Sequence, residues 1–340
     1  MRQFEQHPPC SNQLSNMIQL SNMARRRPSA LLRAALIFLV GIGAGQACAD
    51  SPKPDWCKAL PRPEYRSLER VATRDPWFEV YKVAPDVLAI YEPRQAEETI
   101  GYLILGSQRA LLFDTGMGIS NLKNLVATLT PLPVMVLNSH THNDHVGDNW
   151  QFDSVYSMDT EFSRRNARGS REDAQAELEP GQVCGGLPAG FRRDEYRTRP
   201  WKIAGYIHDG QQIDLGQRTV EVIATPGHTP DAISLFDAAN GLLFTGDTYY
   251  PGPIWLYRPE IDLSAYRQSV QRLVALVPRT KRVLGAHNVP VAPPEVLLKL
   301  ASAFDKVQAG QIAPSPAGEG KVTYTAEGIK FLMKAPPAPQ

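Results

Sequence analysis

The chain has 340 residues, of which 43% are hydrophobic, 21% charged and 8% aromatic, and its formal net charge is +1. This composition is that of an ordinary globular protein, so it excludes a disordered chain, a coiled coil and a multispan membrane protein. The near-zero charge argues against a nucleic-acid partner. The length allows one large domain preceded by a leader.

The first 49 residues are typical of a secretory signal peptide. Three arginines at 25–27 precede an apolar run over 34–44, and Ala47-Cys48-Ala49 resembles a cleavage site. The run is short for a transmembrane anchor, which is the alternative interpretation. We therefore expect cleavage after Ala49 and a periplasmic or secreted protein without stable membrane insertion.

Cleavage would leave two cysteines, Cys57 and Cys184. In an oxidising compartment such a pair is a candidate for one disulfide between the mature N-terminus and a long loop. The sequence does not indicate whether they meet, so two separate thiols remain the alternative.

Residues 50–76 are predicted to be irregular, and residues 77–340 to form one domain. Four short β-prone runs separated by turn signals predict an antiparallel meander, at 78–83, 87–91, 99–105 and 110–113. A helix capped by Ser120 is expected to reach about 128, and the apolar run 132–137 predicts a buried strand.

Residues 151–207 show little periodicity, which predicts a functional loop or lid. The second half resembles the first in outline, with a helix over 263–277, a strand over 283–286 and a last helix over 295–308. Its other predicted strands lie at 212–215, 219–224, 232–236 and 241–244, and a terminal hairpin at 322–324 and 329–332.

The strongest chemical signal is the run S-H-T-H-N-D-H-V-G-D at residues 139–148. Three imidazoles and one carboxylate, His140, His142, Asp144 and His145, follow the predicted buried strand. Zinc and similar cations prefer this mixture of nitrogen and oxygen ligands. The alternative, a solvated histidine-rich turn, does not explain such a dense cluster.

Four further short motifs accompany this cluster in a fixed order: Asp114 in F-D-T-G before it, then His228 in T-P-G-H-T, Asp247 in T-G-D-T and His287 in G-A-H. In this arrangement the chain resembles the metallo-β-lactamase superfamily over roughly residues 78–290. The resemblance implies an α/β fold, a four-layer αββα sandwich.

The resemblance also implies a centre of two divalent metal ions, expected to be Zn(II). His140, His142 and His228 would hold the first ion, Asp144, His145 and His287 the second, and Asp247 would bridge them. Asp114 is expected to support the site from behind without binding metal.

A metal-dependent hydrolase, with a metal-bridging hydroxide attacking a carbonyl carbon, is the activity that the resemblance implies. Asp144 and Tyr250 are the catalytic candidates beside the ligands. Tyr250 corresponds in position to a tyrosine that contacts the substrate carbonyl in lactone hydrolases of the family, although it could equally be a packed aromatic residue.

The predicted substrate is a small molecule, preferably a lactone or another carboxylic ester. β-Lactam hydrolysis is the first alternative, and a thioesterase or a sulfur dioxygenase of the same fold is the next. An inactive binding protein is a further alternative, which the complete ligand set disfavours.

Overall fold

The computed structural model describes residues 54–336. The predicted leader lies outside this range, as does the predicted cleavage site. Within residues 54–336, no helix is long and apolar enough to cross a membrane.

The first sheet has eight strands that follow one another in sequence order. Its first five strands are antiparallel, which confirms the predicted meander, and its last three add in parallel. The strands are β1 (Glu69–Val71), β2 (Glu79–Ala84), β3 (Val87–Tyr91), β4 (Ile100–Leu105), β5 (Ala110–Phe113), β6 (Val134–Leu137), β7 (Val155–Met158) and β8 (Ile203–Ile207).

The second sheet has five strands in the order β14-β12-β11-β10-β9. The strands are β9 (Gln212–Asp214), β10 (Thr219–Ala224), β11 (Ile233–Asp237), β12 (Leu242–Gly246) and β14 (Arg282–Gly285). Buried side chains from both sheets form one core, in which Tyr102 of β4 meets Phe244 of β12 at 5.2 Å between ring centroids. The sheets therefore pack face to face.

Helices cover the outer faces of both sheets. The helices are α1 (Asp55–Lys58), α2 (Leu122–Leu129), α3 (Asn143–Val146), α4 (Glu161–Asn166), α5 (Glu172–Ala176), α6 (Leu263–Val274) and α7 (Val296–Gln308). Apolar residues of α2 pack on the first sheet, and those of α6 and α7 on the second. This layering is the predicted αββα sandwich.

A third, four-stranded sheet lies beside α7. It has the order β13-β17-β16-β15 and consists of β13 (Pro253–Leu256), β15 (Ser315–Gly318), β16 (Lys321–Ala326) and β17 (Ile329–Lys334). The predicted terminal hairpin corresponds to β16 and β17. Strands β13 and β15 were not predicted, because each has only four residues and carries proline or glycine.

Several local predictions need correction. The region 151–207 is not a plain loop, since it contains β7, α4, α5 and β8. Residues 54–76 contain α1, β1 and a short 3-10 helix, Pro63–Ser67. Helix α2 is capped by Asn121, whose side chain accepts the amide hydrogen of Asn124.

The two cysteines of the described chain are paired. A disulfide joins Cys57 of α1 to Cys184 in the segment between α5 and β8. The open question between a disulfide and two separate thiols is thereby answered in favour of the disulfide.

Candidate metal centre

The first group of ligand atoms consists of three buried histidines. His140 Nε2 lies 2.9 Å from His142 Nδ1, and His228 Nε2 lies 3.2 Å from that same Nδ1. Three imidazole nitrogens therefore converge on one point, in an arrangement that fits a single cation.

The second group combines one carboxylate with two imidazoles. Asp144 Oδ2 lies 3.0 Å from His145 Nε2 and 3.6 Å from His287 Nε2. All three residues are buried, and their ligand atoms lie within 4.8 Å of one another. They make a second candidate site with mixed nitrogen and oxygen donors.

Asp247 lies between the two groups. Its Oδ2 is 3.6 Å from His228 Nε2, and its Oδ1 is 3.1 Å from His287 Nε2 and 3.5 Å from His145 Nε2. Oδ1 therefore faces the second group, whereas Oδ2 lies near both groups, since it is also 3.2 Å from His287 Nε2, and the carboxylate is placed to bridge them.

Within the described residues, the buried atoms His145 Nε2 and Asp247 Oδ1 make no well-aligned hydrogen bond, although Asp144 Oδ2 and His287 Nε2 lie 3.0 and 3.1 Å from them. An unpaired buried polar atom is costly. A cation bound between these atoms would satisfy both, so the residues present fit a metal centre.

Strand ends place the ligands. Strand β6 leads directly into the loop that carries His140, and the adjacent parallel strands β12 and β14 end just before Asp247 and His287. Gly246 permits this approach, since it adopts a φ of +50° and a Cβ there would lie 2.4 Å from Ser139 Cβ.

In each histidine of the second group, Nδ1 contacts an oxygen atom that orients the ring. Asp114 accepts the amide hydrogen of Ser139 at 2.7 Å, and its second oxygen lies 3.0 Å from His145 Nδ1. His287 Nδ1 lies 2.7 Å from the Glu97 carbonyl oxygen. These contacts leave both Nε2 atoms for the metal. Asp114 thus stands behind the site, where the sequence analysis put it.

The first group has comparable supports. His228 Nδ1 lies 3.0 Å from the Trp255 carbonyl oxygen, and His142 Nε2 lies 2.6 Å from Glu260 Oε1. Sequence reasoning missed Glu260, which belongs to no recognisable motif and lies 118 residues from His142.

Burial and charge keep two rings of the first group, those of His140 and His228, neutral. Burial lowers the pKa of His140 well below its usual range, and the imidazoles of His145 and His142 add to that effect. Burial likewise lowers the pKa of His228 to about 4. At neutral pH both rings have free lone pairs for a cation.

The second group behaves in the opposite way. Burial lowers the pKa of His145, but the carboxylates of Asp144, Asp114 and Asp247 outweigh it and hold that pKa well above its usual range. Against the same burial, Asp247 raises the pKa of His287 to about 9. A metal ion in this group must therefore displace protons.

Both acidic ligands are ionised at neutral pH. Burial raises the pKa of Asp144, but the imidazoles of His145 and His287 lower it more, to well below its usual range. The same balance lowers the pKa of Asp247 to about 2.

A cavity of about 480 Å³ opens beside His142. Phe162, Arg165, Arg258 and Glu260 contribute to its wall. Phe162 belongs to α4, so the region 151–207 reaches the metal centre, and its functional role stays a prediction.

All seven predicted ligands are thus brought together. Tyr250 is also close, with its ring centroid 4.7 Å from that of His287. Its hydroxyl, however, donates to the Pro253 carbonyl oxygen at 2.6 Å. Its predicted contact with a substrate carbonyl stays a prediction.

Two proteins with a similar sequence are named as a thioesterase and a hydrolase. The chain is 29% identical to an acyl-coenzyme A thioesterase, MBLAC2, of Bos taurus over 217 residues, which cover 60% of this chain and 77% of the relative. It is also 29% identical to a hydroxyacylglutathione hydrolase of Gloeobacter violaceus over 119 residues, which cover 35% of this chain and 36% of the relative.

A solved structure and a family model agree with these relatives. The crystal structure of DIM-1 metallo-β-lactamase exposed to ceftazidime shares the fold, with a TM-score of 0.51 at 13% identity, covering 69% of this chain and all of that one. The model of the metallo-beta-lactamase superfamily matches residues 101–287, more than half of the chain. The chain therefore belongs to the metallo-β-lactamase superfamily of metal-dependent hydrolases.

Proposed function

We propose that the protein is a dinuclear zinc hydrolase that cleaves acyl thioesters. The observation that carries the dinuclear centre is the Asp247 carboxylate, which lies between the two ligand groups and within 3.1–3.6 Å of imidazole nitrogens from both. The preference for thioesters over the lactone favoured by the sequence comes from the two relatives named for acyl-coenzyme A and hydroxyacylglutathione.

The ligands divide the work of holding the metal. His140, His142 and His228 would hold the first ion, Asp144, His145 and His287 the second, and Asp247 both. Two zinc ions, when bound, supply Lewis acidity toward a carbonyl oxygen and lower the pKa of water towards neutrality.

The cavity beside His142 is the proposed substrate site. Phe162 offers an apolar surface, with its ring centroid 5.8 Å from that of His142. A volume of about 480 Å³ suits the acyl part and the thioester group of a small substrate.

Arg258 is the proposed anchor for an anionic group of the substrate. It is partly buried in the cavity wall, and burial lowers its pKa, but the carboxylates of Asp144 and Glu260 outweigh burial and raise it. The guanidinium therefore stays charged beside the metal centre. Acyl-coenzyme A and acylglutathione both carry anionic groups that a guanidinium can bind in a bidentate manner.

A substrate panel tests this proposal. The zinc-loaded protein is assayed with an acyl-coenzyme A, an acylglutathione, an acyl lactone, a carbapenem and a phosphodiester, with and without a chelator. We expect the highest kcat/KM with one of the two thioesters, and loss of turnover with the chelator. Faster cleavage of the lactone or the carbapenem would contradict the thioester assignment, and chelator-insensitive turnover would contradict the metal mechanism.

We also propose that the protein is exported. The signal-like pattern over residues 1–49 supports this, and so does the Cys57–Cys184 disulfide, because disulfides persist mainly in oxidising compartments. Mass spectrometry of the mature protein should find its N-terminus at Asp50 and no free thiol. A chain that retains its first residues in the cytoplasm would contradict export.

A further inference from the structure

A segment outside the matched family region, residues 54–68, contacts both loops that support the second ligand group. We call this segment the N-terminal strap. It contains α1 and the short 3-10 helix, Pro63–Ser67, and Arg62 lies between them. The strap is tied to the domain by the Cys57–Cys184 disulfide.

Arg62 binds the two supporting loops at once. Its Nε lies 2.7 Å from Glu98 Oε2, and its Nη2 lies 2.5 Å from Glu98 Oε1 and 2.8 Å from Asn288 Oδ1. The Glu98 side chain is 1% exposed, and Tyr91 also donates a hydrogen bond to it. A buried carboxylate with these partners fixes its neighbours firmly, since an unpaired one would be costly.

The two residues that Arg62 binds, Glu98 and Asn288, are next in sequence to Glu97 and His287, whose contact orients the His287 ring. Glu98 follows Glu97, whose carbonyl oxygen accepts from His287 Nδ1, and Asn288 follows His287. The two loops are also joined directly, because the backbone N–H of Asn288 donates to the backbone carbonyl oxygen of Glu98 at 3.1 Å. Arg62 thus closes a ring of contacts around His287.

Backbone conformation shows that this arrangement needs support. Glu98 and Asn288 have φ values of +47° and +65°, in the left-handed region that favours glycine. Such conformations persist where surrounding contacts impose them. The bidentate contact of Arg62 with Glu98, and its bond to Asn288, are contacts of that kind.

We propose that Arg62 is a positioning residue for the second metal ion. It holds the loops around Glu98 and Asn288 so that His287 Nε2 faces Asp247 and Asp144. The inference rests on the proposed two-metal centre. It extends the metal site to a segment that the family model does not cover.

Zinc titration of Arg62→Ala against a competing chelator tests the role. We expect the affinity for the second ion to fall by about 10–100-fold, the range typical of outer-shell residues, and that for the first ion to change less than about threefold. Arg66→Ala is the matched control, because Arg66 is exposed on the same strap. It should keep both affinities. Cobalt substitution adds a spectroscopic readout, in which only the absorption of the second ion should change.

Asn288→Gly provides a second variant should Arg62→Ala fail to fold. Glycine accepts the positive φ and removes only the side-chain acceptor, so the second affinity should again fall selectively. If the wild type binds two ions, equal losses of zinc affinity at both sites would overturn the positioning role of Arg62. Unchanged affinity for the second ion in both variants would overturn it as well. A wild type that binds one ion would overturn the dinuclear centre and this inference with it.

Discussion

The two ligand groups share Asp247 but differ in how their environment prepares them for metal. In the first group, which consists of His140, His142 and His228, burial lowers the pKa of His140 well below its usual range and that of His228 to about 4. The second group pairs His145 and His287 with carboxylates that raise their pKa values. His140 and His228 therefore offer free lone pairs to a cation at neutral pH, whereas the histidines of the second group must release protons. The two neighbouring sites are therefore expected to load metal under different conditions.

The largest expected effect comes from breaking the first group. His142→Ala removes the nitrogen that lies close to both His140 and His228, so turnover should fall by more than the roughly 10–100-fold typical of an outer-shell change. Steady-state kinetics and metal analysis measure this. His208→Ala is the matched control, because His208 is exposed in a turn. Unchanged turnover in His142→Ala would refute the assigned site.

The pH dependence of metal binding separates the two groups. The pKa of His287 is raised to about 9, so below pH 9 a bound metal must displace its proton. His145, whose pKa is also raised, must release a proton as well, so affinity for the second ion should rise with pH up to at least 9, by about tenfold per unit for each proton displaced. Burial lowers the pKa of His140, and that of His228 to about 4, so these two ligands release no proton to the first ion above pH 6, and its affinity should rise less steeply with pH. Chelator competition at several pH values measures both affinities. Parallel curves of affinity against pH for the two ions would contradict the difference between the groups.

A milder change sharpens the role of the support behind the second group. In Asp114→Asn the amide oxygen still accepts from Ser139, but the amide nitrogen faces the Nδ1 of His145. The amide N–H of the new residue and the Nδ1–H of His145 then face each other as two donors. Affinity for the second ion should therefore fall by about 10–100-fold, while affinity for the first ion is retained. Asparagine tolerates the φ of +71° at this position, so the fold should be kept. Isothermal titration with zinc measures both affinities. Equal weakening of both would contradict a local effect.

The smallest expected effect concerns Tyr250. Its hydroxyl is bound to the Pro253 carbonyl oxygen, so Tyr250→Phe should keep both metal ions and change thioester turnover by less than about tenfold, in line with the loss of one hydrogen bond. Metal analysis and kinetics on one sample provide the check. A much larger loss of kcat with metal retained would show that the phenol reaches the substrate.

The ligands could be predicted from the sequence because each lies in a short motif at the end of a strand. His140 follows an apolar run, and Asp247 and His287 follow adjacent strands, so local patterns carried the information. The antiparallel meander was predictable for the same reason.

The supports around the ligands could not be predicted in this way. Glu260 contacts His142, which is 118 positions away, and Arg62 contacts Glu98, which is 36 positions away. Only the folded chain creates these contacts. Strands β7 and β8 were not predicted, because they are short and β8 contains Gly205. Pairing between the two strands, rather than local sequence, decides their conformation. Tertiary contacts outweigh local propensity in such segments.

Anomalous diffraction from zinc-soaked crystals would locate the metal ions relative to Asp247. We predict two zinc peaks about 3.5–4 Å apart on either side of the Asp247 carboxylate, one bound by His140, His142 and His228 and the other by Asp144, His145 and His287. A single peak at full occupancy under saturating zinc at pH 9, or peaks away from Asp247, would contradict the account.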